Sequence, residues 1–299
     1  MELKLSTFLA SYKDYVGDPE NFDIAEALKR DGFDGAEPDH YSFVLRKEDP
    51  IEGAKKLRER LDAVGIPTAC YSRGMTIVDN TVEDSVELLK ASVDVCEILG
   101  SPILHHTLQN SWFTPVIPLW EKHLDKIVEV CREVAYYAGE KGITCIYEDQ
   151  GFYVNTPERL SEVLSRVDLP NTGICFDTGN ALFYDVDPID YVAMLAPFIK
   201  HVHIKDYLKK NAHQTPPKSG FYRTARNNML RTTIIGHGVI DFEPIMETLI
   251  LAGYNGYFSI EAGGIEYDNL RAMQESINNV KWLYNRAKTD LIERGYIKE

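Results

Sequence analysis

Short apolar runs alternate with longer amphipathic segments along all 299 residues, and no linker, repeat or low-complexity tract breaks the rhythm. This alternation is the strongest constraint on the fold. Strands separated by helices pair in parallel through right-handed crossovers, which makes the chain an α/β protein. Eight runs read as strands: Leu3–Phe8, Gly35–Pro38, Pro67–Tyr71, Pro102–Thr107, Thr144–Glu148, Gly173–Asp177, His201–Lys205 and Tyr257–Glu261. Helical periodicity covers Ile51–Val64, Val82–Leu99, Leu119–Glu140, Pro157–Arg166, Pro188–Leu195 and Phe242–Leu251. Gly32, Gly65, Gly100, Gly142 and Gly253 each follow a helical stretch, as left-handed stops do. Thr81 before Asp84, and Thr156 before Pro157, mark helix starts.

Eight such units close into a (β/α)8 barrel, expected as a single domain over residues 1–299. An open doubly wound sheet is the alternative, and the lack of a GxGxxG turn after the first strand weakens it. The last helix, Asn269–Arg294, is long and charged and should wrap the outside. Residues 207–233 show no clean periodicity and contain Pro216, Pro217, Ser219 and Gly220, so a long active-site loop over the barrel mouth is expected there.

Charge narrows the function classes. Lys+Arg number 32 and Asp+Glu 46, a net charge of −14 that opposes a nucleic-acid footprint. The five cysteines form no CxxC pair, which fits free thiols in a reducing cytoplasm. Neither an apolar leader nor a membrane-spanning run is present, so a cytoplasmic protein without membrane partners is expected.

In a barrel the active site gathers at the C-terminal strand ends. There the chain carries Glu148, Asp177, His203 and Glu261 on four successive strands. Each alone reads as an ordinary strand-end cap or solvated group. Together they are three carboxylates and an imidazole at one height, and burying them is costly without a compensating cation. This hard, oxygen-rich set suits one divalent metal ion, Mn2+ or Mg2+, and accommodates Co2+ or Zn2+.

The ordered run Glu148, Asp177-Thr178-Gly179, His201-Val202-His203-Ile204-Lys205-Asp206 and Glu261 resembles the xylose isomerase-like TIM barrel, the sugar phosphate isomerase/epimerase superfamily. Gly35-Ala36-Glu37 and the turn Gly236-His237-Gly238-Val239-Ile240-Asp241-Phe242 extend the resemblance over nearly the whole chain. It implies metal-dependent proton abstraction next to a carbonyl, through an enediolate, on a sugar, keto-sugar, cyclitol or sugar phosphate. By the same resemblance Glu148 and Glu261 are both ligands and the acid/base pair, with Asp177 and His203 as ligands, and a homo-oligomer is expected. Substrate contacts are expected from Glu37, His105, His106, Asn180, Lys205, His237 and Arg223. Five have a plain alternative: His105 and His106 as hydrogen-bonded core histidines, Lys205 paired with Asp206, His237 held in a tight backbone turn, Arg223 on a solvated loop. Phe8, Trp112, Phe113, Phe152 and Tyr153 are candidate aromatic walls or plain packing.

Ketose 3-epimerases of this family carry His, Glu and Arg where this chain has Asn180, Val154 and Lys209, which opposes a free-ketose 3-epimerase. The His-x-Lys-Asp form is more similar to dehydratase and phosphate-sugar branches. The Glu-Asp-Gln-Gly, Lys-Asp-Tyr and Gly-His-Gly combination is also similar to α subunits of enzymes that cleave 3-oxo-C-glycosides, which would add a small partner subunit. A lyase, either an inosose-type dehydratase or such a deglycosidase, is therefore the alternative to an isomerase. An abasic-site-type endonuclease would need further His ligands and a basic face. A sugar-binding barrel without catalysis would lack the metal.

Overall fold

The computed structural model describes residues 2–18, 20–109, 120–152, 154–261 and 269–298. Ten strands occur among them: β1 Leu5–Thr7, β2 Tyr71–Arg73, β3 Ile103–His106, β4 Thr144–Glu148, β5 Thr172–Asp177, β6 Ile199–Ile204, β7 Asp206–Lys210, β8 Tyr222–Arg223, β9 Met229–Thr233 and β10 Phe258–Ile260. Seven pair in parallel in the order β1-β10-β6-β5-β4-β3-β2. The expected second strand closes the ring through isolated bridges rather than a ladder, Phe8 to Glu37 on one side and Ala36 to Thr68 and Asp39 to Ser72 on the other. Its backbone still bonds both neighbours, with Glu37 N–H donating to Thr7 O at 3.0 Å and Ser72 N–H to Pro38 O at 2.9 Å. Pro38 and Pro67 lack an N–H, which interrupts the ladder at this seam.

Ten α-helices are described: α1 Lys13–Gly17, α2 Ile24–Asp31, α3 His40–Leu45, α4 Pro50–Val64, α5 Val82–Leu99, α6 Trp120–Glu140, α7 Pro157–Val167, α8 Pro188–Leu195, α9 Phe242–Leu251 and α10 Asn269–Glu293. Their starts follow capping chemistry. Thr81 accepts from Asp84 N–H at α5, and Thr156 accepts from Arg159 N–H at α7 with Pro157 in the first turn. Gly32, Gly65 and Gly100 end α2, α4 and α5 at φ of 84°, 77° and 67°, which glycine adopts without a Cβ clash. No described helix is long and apolar enough to cross a membrane.

Alternation along the strands divides the interior in two. Leu104, Cys145, Tyr147, Ile174, Phe176, Val202, Ile204, Phe258 and Ile260 belong to the large core that includes the helices, whereas Cys70, Ile146 and Cys175 form a small cluster of their own. Ile146 and Glu148 share one face of β4, and Cys175 and Asp177 share one face of β5. The same period puts His201 with His203 on β6 and Ile103 with His105 on β3.

Residues 207–233 are not the loop expected from the sequence. β7 pairs antiparallel with β9, and β9 with β8, giving a three-stranded sheet that springs from the end of β6. Leu208, Lys209, Tyr222 and Arg223 are exposed on it, and β9 has no apolar alternation. Backbone hydrogen bonding builds these strands, and it leaves no hydrophobic period to read.

Candidate metal centre

Glu148, Asp177, His203 and Glu261 meet at the C-terminal mouth of the barrel. Register explains why: Glu148 pairs with Cys175, Asp177 with His203, and His203 with Ser259, two residues before Glu261. Each of the four offers one ligand atom, and those atoms all lie within 4.8 Å of one another. His203 Nδ1 is 3.1 Å from Glu148 Oε1, 3.3 Å from Glu261 Oε1 and 4.0 Å from Asp177 Oδ2. Glu148, Asp177 and His203 are buried, while the Glu261 side chain is 23% exposed and forms the open side.

The donor set fits a divalent cation. Glu148 Oε2 is buried and, among the described residues, receives no aligned hydrogen bond, a costly state that a metal ion relieves. Burial works to raise the Glu148 pKa, but His105 and His203 outweigh it and hold the carboxyl below the usual range. Burial pushes Asp177 up to about 7, with Lys205 opposing and the Glu261 and Glu148 carboxylates adding. A carboxyl holding a proton near neutral pH among other carboxylates would release it to a divalent ion.

Three of the expected contacts lie against this cluster. His105 Nε2 is 3.3 Å from Glu148 Oε2, and Asn180 Nδ2 donates to Glu148 Oε1 at 3.2 Å. Lys205 Nζ sits 2.6 Å from both Asp177 Oδ2 and Glu261 Oε2. Burial disfavours its charge, but Asp177 and Glu261 raise its pKa well above the ordinary lysine value. Lys205 therefore pairs with the cluster and not with Asp206.

The other four expected contacts have protein partners of their own. Glu37 is fully buried and holds two imidazoles, with His201 Nε2 at 2.9 Å from Oε2 and His203 Nε2 at 2.8 Å from Oε1. His106 faces the helices because it alternates with His105. Its ring packs edge-on against Tyr147, and burial pulls its pKa down to about 4. His237 points to Glu275 on α10, at 3.1 Å. Its flanking glycines serve Asp206, whose Oδ2 accepts from Gly236 N–H at 3.0 Å and Gly238 N–H at 2.7 Å. Arg223 is exposed and donates to Asn227 O within its own hairpin at 3.1 Å.

Of the candidate aromatic walls, Phe8 meets His203 edge-on with ring centroids 6.2 Å apart, and Phe152 packs on Phe183. Trp112, Phe113 and Tyr153 lie outside the described residues. The sequence reading missed Ser72, His201 and Asp149. His201 was signalled by its two-residue spacing from His203, which puts both rings on one strand face. Asp149 Oδ1 accepts Asp177 N–H at 3.1 Å, and burial beside Asp177 and Glu148 raises its pKa well above the usual range. Ser72 carries no sequence signal.

Comparison with known proteins agrees with this architecture. Residues 25–286 match the family model described as xylose isomerase-like TIM barrel. The chain is 26% identical over 219 residues to an inosose dehydratase of Geobacillus thermodenitrificans, covering 70% of this chain and 73% of that protein. An inosose dehydratase of Clostridium perfringens is also 26% identical, over 223 residues, covering 71% and 73%. Among solved structures, an L-ribulose 3-epimerase superposes with a TM-score of 0.76 at 16% identity, covering 100% of this chain and 99% of that one. A 3-keto-D-glucoside 4-epimerase from E. coli superposes with a TM-score of 0.71 at 18% identity, covering 95% and 100%. At these identities the superpositions establish the fold alone.

Proposed function

The chain belongs to the xylose isomerase-like TIM-barrel family, and from that premise we propose that it is a divalent-metal-dependent sugar isomerase or epimerase. In this reading it moves a proton on a carbon next to a carbonyl in a small polyhydroxylated substrate. The convergence of Glu148, Asp177, His203 and Glu261 within 4.8 Å is the observation that carries the reading. These oxygen donors and one imidazole would hold Mn2+ first, with Mg2+, Co2+ or Zn2+ as alternatives. When bound, such an ion supplies Lewis-acid polarisation of the carbonyl and its neighbouring hydroxyl.

The residues of the chain do the rest. Glu261, the exposed member, takes the proton at its carboxylate, and Glu148 across the cluster returns one. Lys205 Nζ, 2.6 Å from Glu261 Oε2, orients that carboxylate. Asn180 steadies Glu148 through Oε1. The chain's net charge of −14 and Asn180 in place of a further imidazole weigh against nucleic-acid cleavage.

Dehydration is a second reading, favoured by the inosose dehydratase relatives and by Lys205. After Glu261 removes the proton, the Lys205 ammonium would donate a proton to the departing hydroxyl on the adjacent carbon, releasing water as the C=C bond forms. Metal analysis of the purified protein tests the common premise, followed by deuterium uptake from D2O with ketoses, sugar phosphates, inososes and 3-oxo-glucosides. The reading expects close to one divalent ion per chain and deuterium beside a carbonyl. Product mass separates the two arms, since epimerisation preserves it and dehydration loses water. No metal and no exchange with added metal would remove both arms.

A further inference from the structure

We infer that a single carboxylate, Glu37, fixes the tautomers of three imidazoles around the centre, two directly and the third through Ser72. The inference rests on the reading of Glu148 and His203 as metal ligands and concerns what holds them. Five residues from five barrel segments form a ring of close polar contacts. His203 Nδ1 is 3.1 Å from Glu148 Oε1, and His203 Nε2 is 2.8 Å from Glu37 Oε1. Ser72 Oγ–H donates to the same Glu37 Oε1 at 2.5 Å. His105 Nδ1 lies 2.9 Å from Ser72 Oγ, and His105 Nε2 returns to Glu148 Oε2 at 3.3 Å. His201 Nε2 joins from the side, 2.9 Å from Glu37 Oε2.

Donor counting sets the direction of the bonds to Glu37 and Ser72. An ionised carboxylate only accepts, so the three groups on Glu37 must all donate: Ser72 Oγ–H, His203 Nε2–H and His201 Nε2–H. Ser72 has spent its one proton on Glu37, so its oxygen can only accept from His105. His105 must then carry its proton on Nδ1. Its Nε2 faces Glu148 as a bare lone pair when the ring is neutral, which agrees with the unaligned contact there. With its Nε2 proton held by Glu37, His203 turns the Nδ1 lone pair toward Glu148, Asp177 and Glu261, the side a cation would occupy. A hydrogen-bonded carboxylate behind a ligand histidine strengthens the ligand, and removing one typically costs 10–100-fold in metal affinity. Glu37 and Ser72 are therefore positioning residues, and Ser72 acts on His105 alone.

Long-range 1H–15N correlation on histidine-labelled protein reads the tautomers directly, before any metal is added for His105 and His201. The expected pattern is Nδ1–H for His105 and Nε2–H for His201, and Nε2–H for His203 in the Zn2+-loaded protein. Calorimetric Zn2+ titration of the variants gives the second readout. Glu37→Gln should weaken Zn2+ binding by about 10–100-fold, whereas Ser72→Ala should change it by less than about threefold while releasing only His105 from its tautomer. His105 found as Nε2–H in the wild-type protein overturns the inference, as does unchanged Zn2+ affinity in Glu37→Gln. If either variant fails to fold, the wild-type tautomer pattern still decides. A wild-type protein with the expected His105 and His201 tautomers but no Zn2+ binding would instead count against the metal reading.

Discussion

Replacing His106 with asparagine should flatten the acid limb of the stability profile. The His106 ring is buried between β3 and the helices, its Nδ1 is 3.2 Å from Thr107 O, and its Nε2 has no hydrogen-bond partner among the described residues. Burial pulls its pKa from 6.5 down to about 4. A histidine whose folded pKa is depressed takes up its proton more readily in the unfolded chain. Its contribution is fully present above pH 6.5 and is lost as pH falls toward 4, where it levels off. A shift of that size corresponds to about 3 kcal/mol at 1.36 kcal/mol per unit. The assay is urea unfolding of wild-type and His106→Asn proteins at several pH values between 7 and 4, both with chelator. Carboxylates that titrate in both proteins cancel in the difference. The wild type should lose about 3 kcal/mol more than the variant over this range. Parallel profiles would show that the ring is hydrated or already protonated in the folded state.

Three further outcomes follow from the geometry. A Cβ on Gly238 would sit 2.1 Å from Asp206 Oδ1 and 2.5 Å from Tyr207 O, so Gly238→Ala should destabilise the chain by about 2 kcal/mol or more, read as a lowered Tm. An unchanged Tm would mean that the 236–240 turn yields freely. His203→Ala should weaken Mn2+ binding at least tenfold, about 1.4 kcal/mol, in a calorimetric titration. Retention of wild-type affinity would place any ion elsewhere. All five cysteines are buried, so a thiol reagent should label almost none in the folded protein and all of them in denaturant. Rapid native labelling would contradict the packing around Cys70 and Cys175.

Much of the fold was legible because local rules wrote it. Helices expected over Val82–Leu99, Pro188–Leu195 and Phe242–Leu251 run over those same residues, since caps and the 3.6-residue period act within a few positions. The 206–233 sheet was not legible. Its strands mix buried and exposed positions without a period and hold together by backbone bonds, which any side chain permits. The glycines around His237 were visible, but their reason, the Asp206 carboxylate accepting their N–H groups, appears only once the turn is folded.

By itself the sequence determined the alternating α/β architecture and the position of Glu148, Asp177, His203 and Glu261 at strand ends, because both depend on spacing along the chain. Tertiary structure alone decided what surrounds them. His105 and His106 are adjacent in sequence, yet one faces Glu148 and the other Tyr147, because strand phase is set by which face meets the helices. Glu37 and His203, 166 positions apart, touch only because the barrel closes at the 36–39 seam. Hydrogen bonds between such distant groups leave no period for a sequence to display, so the network behind the candidate centre emerges only from the folded chain.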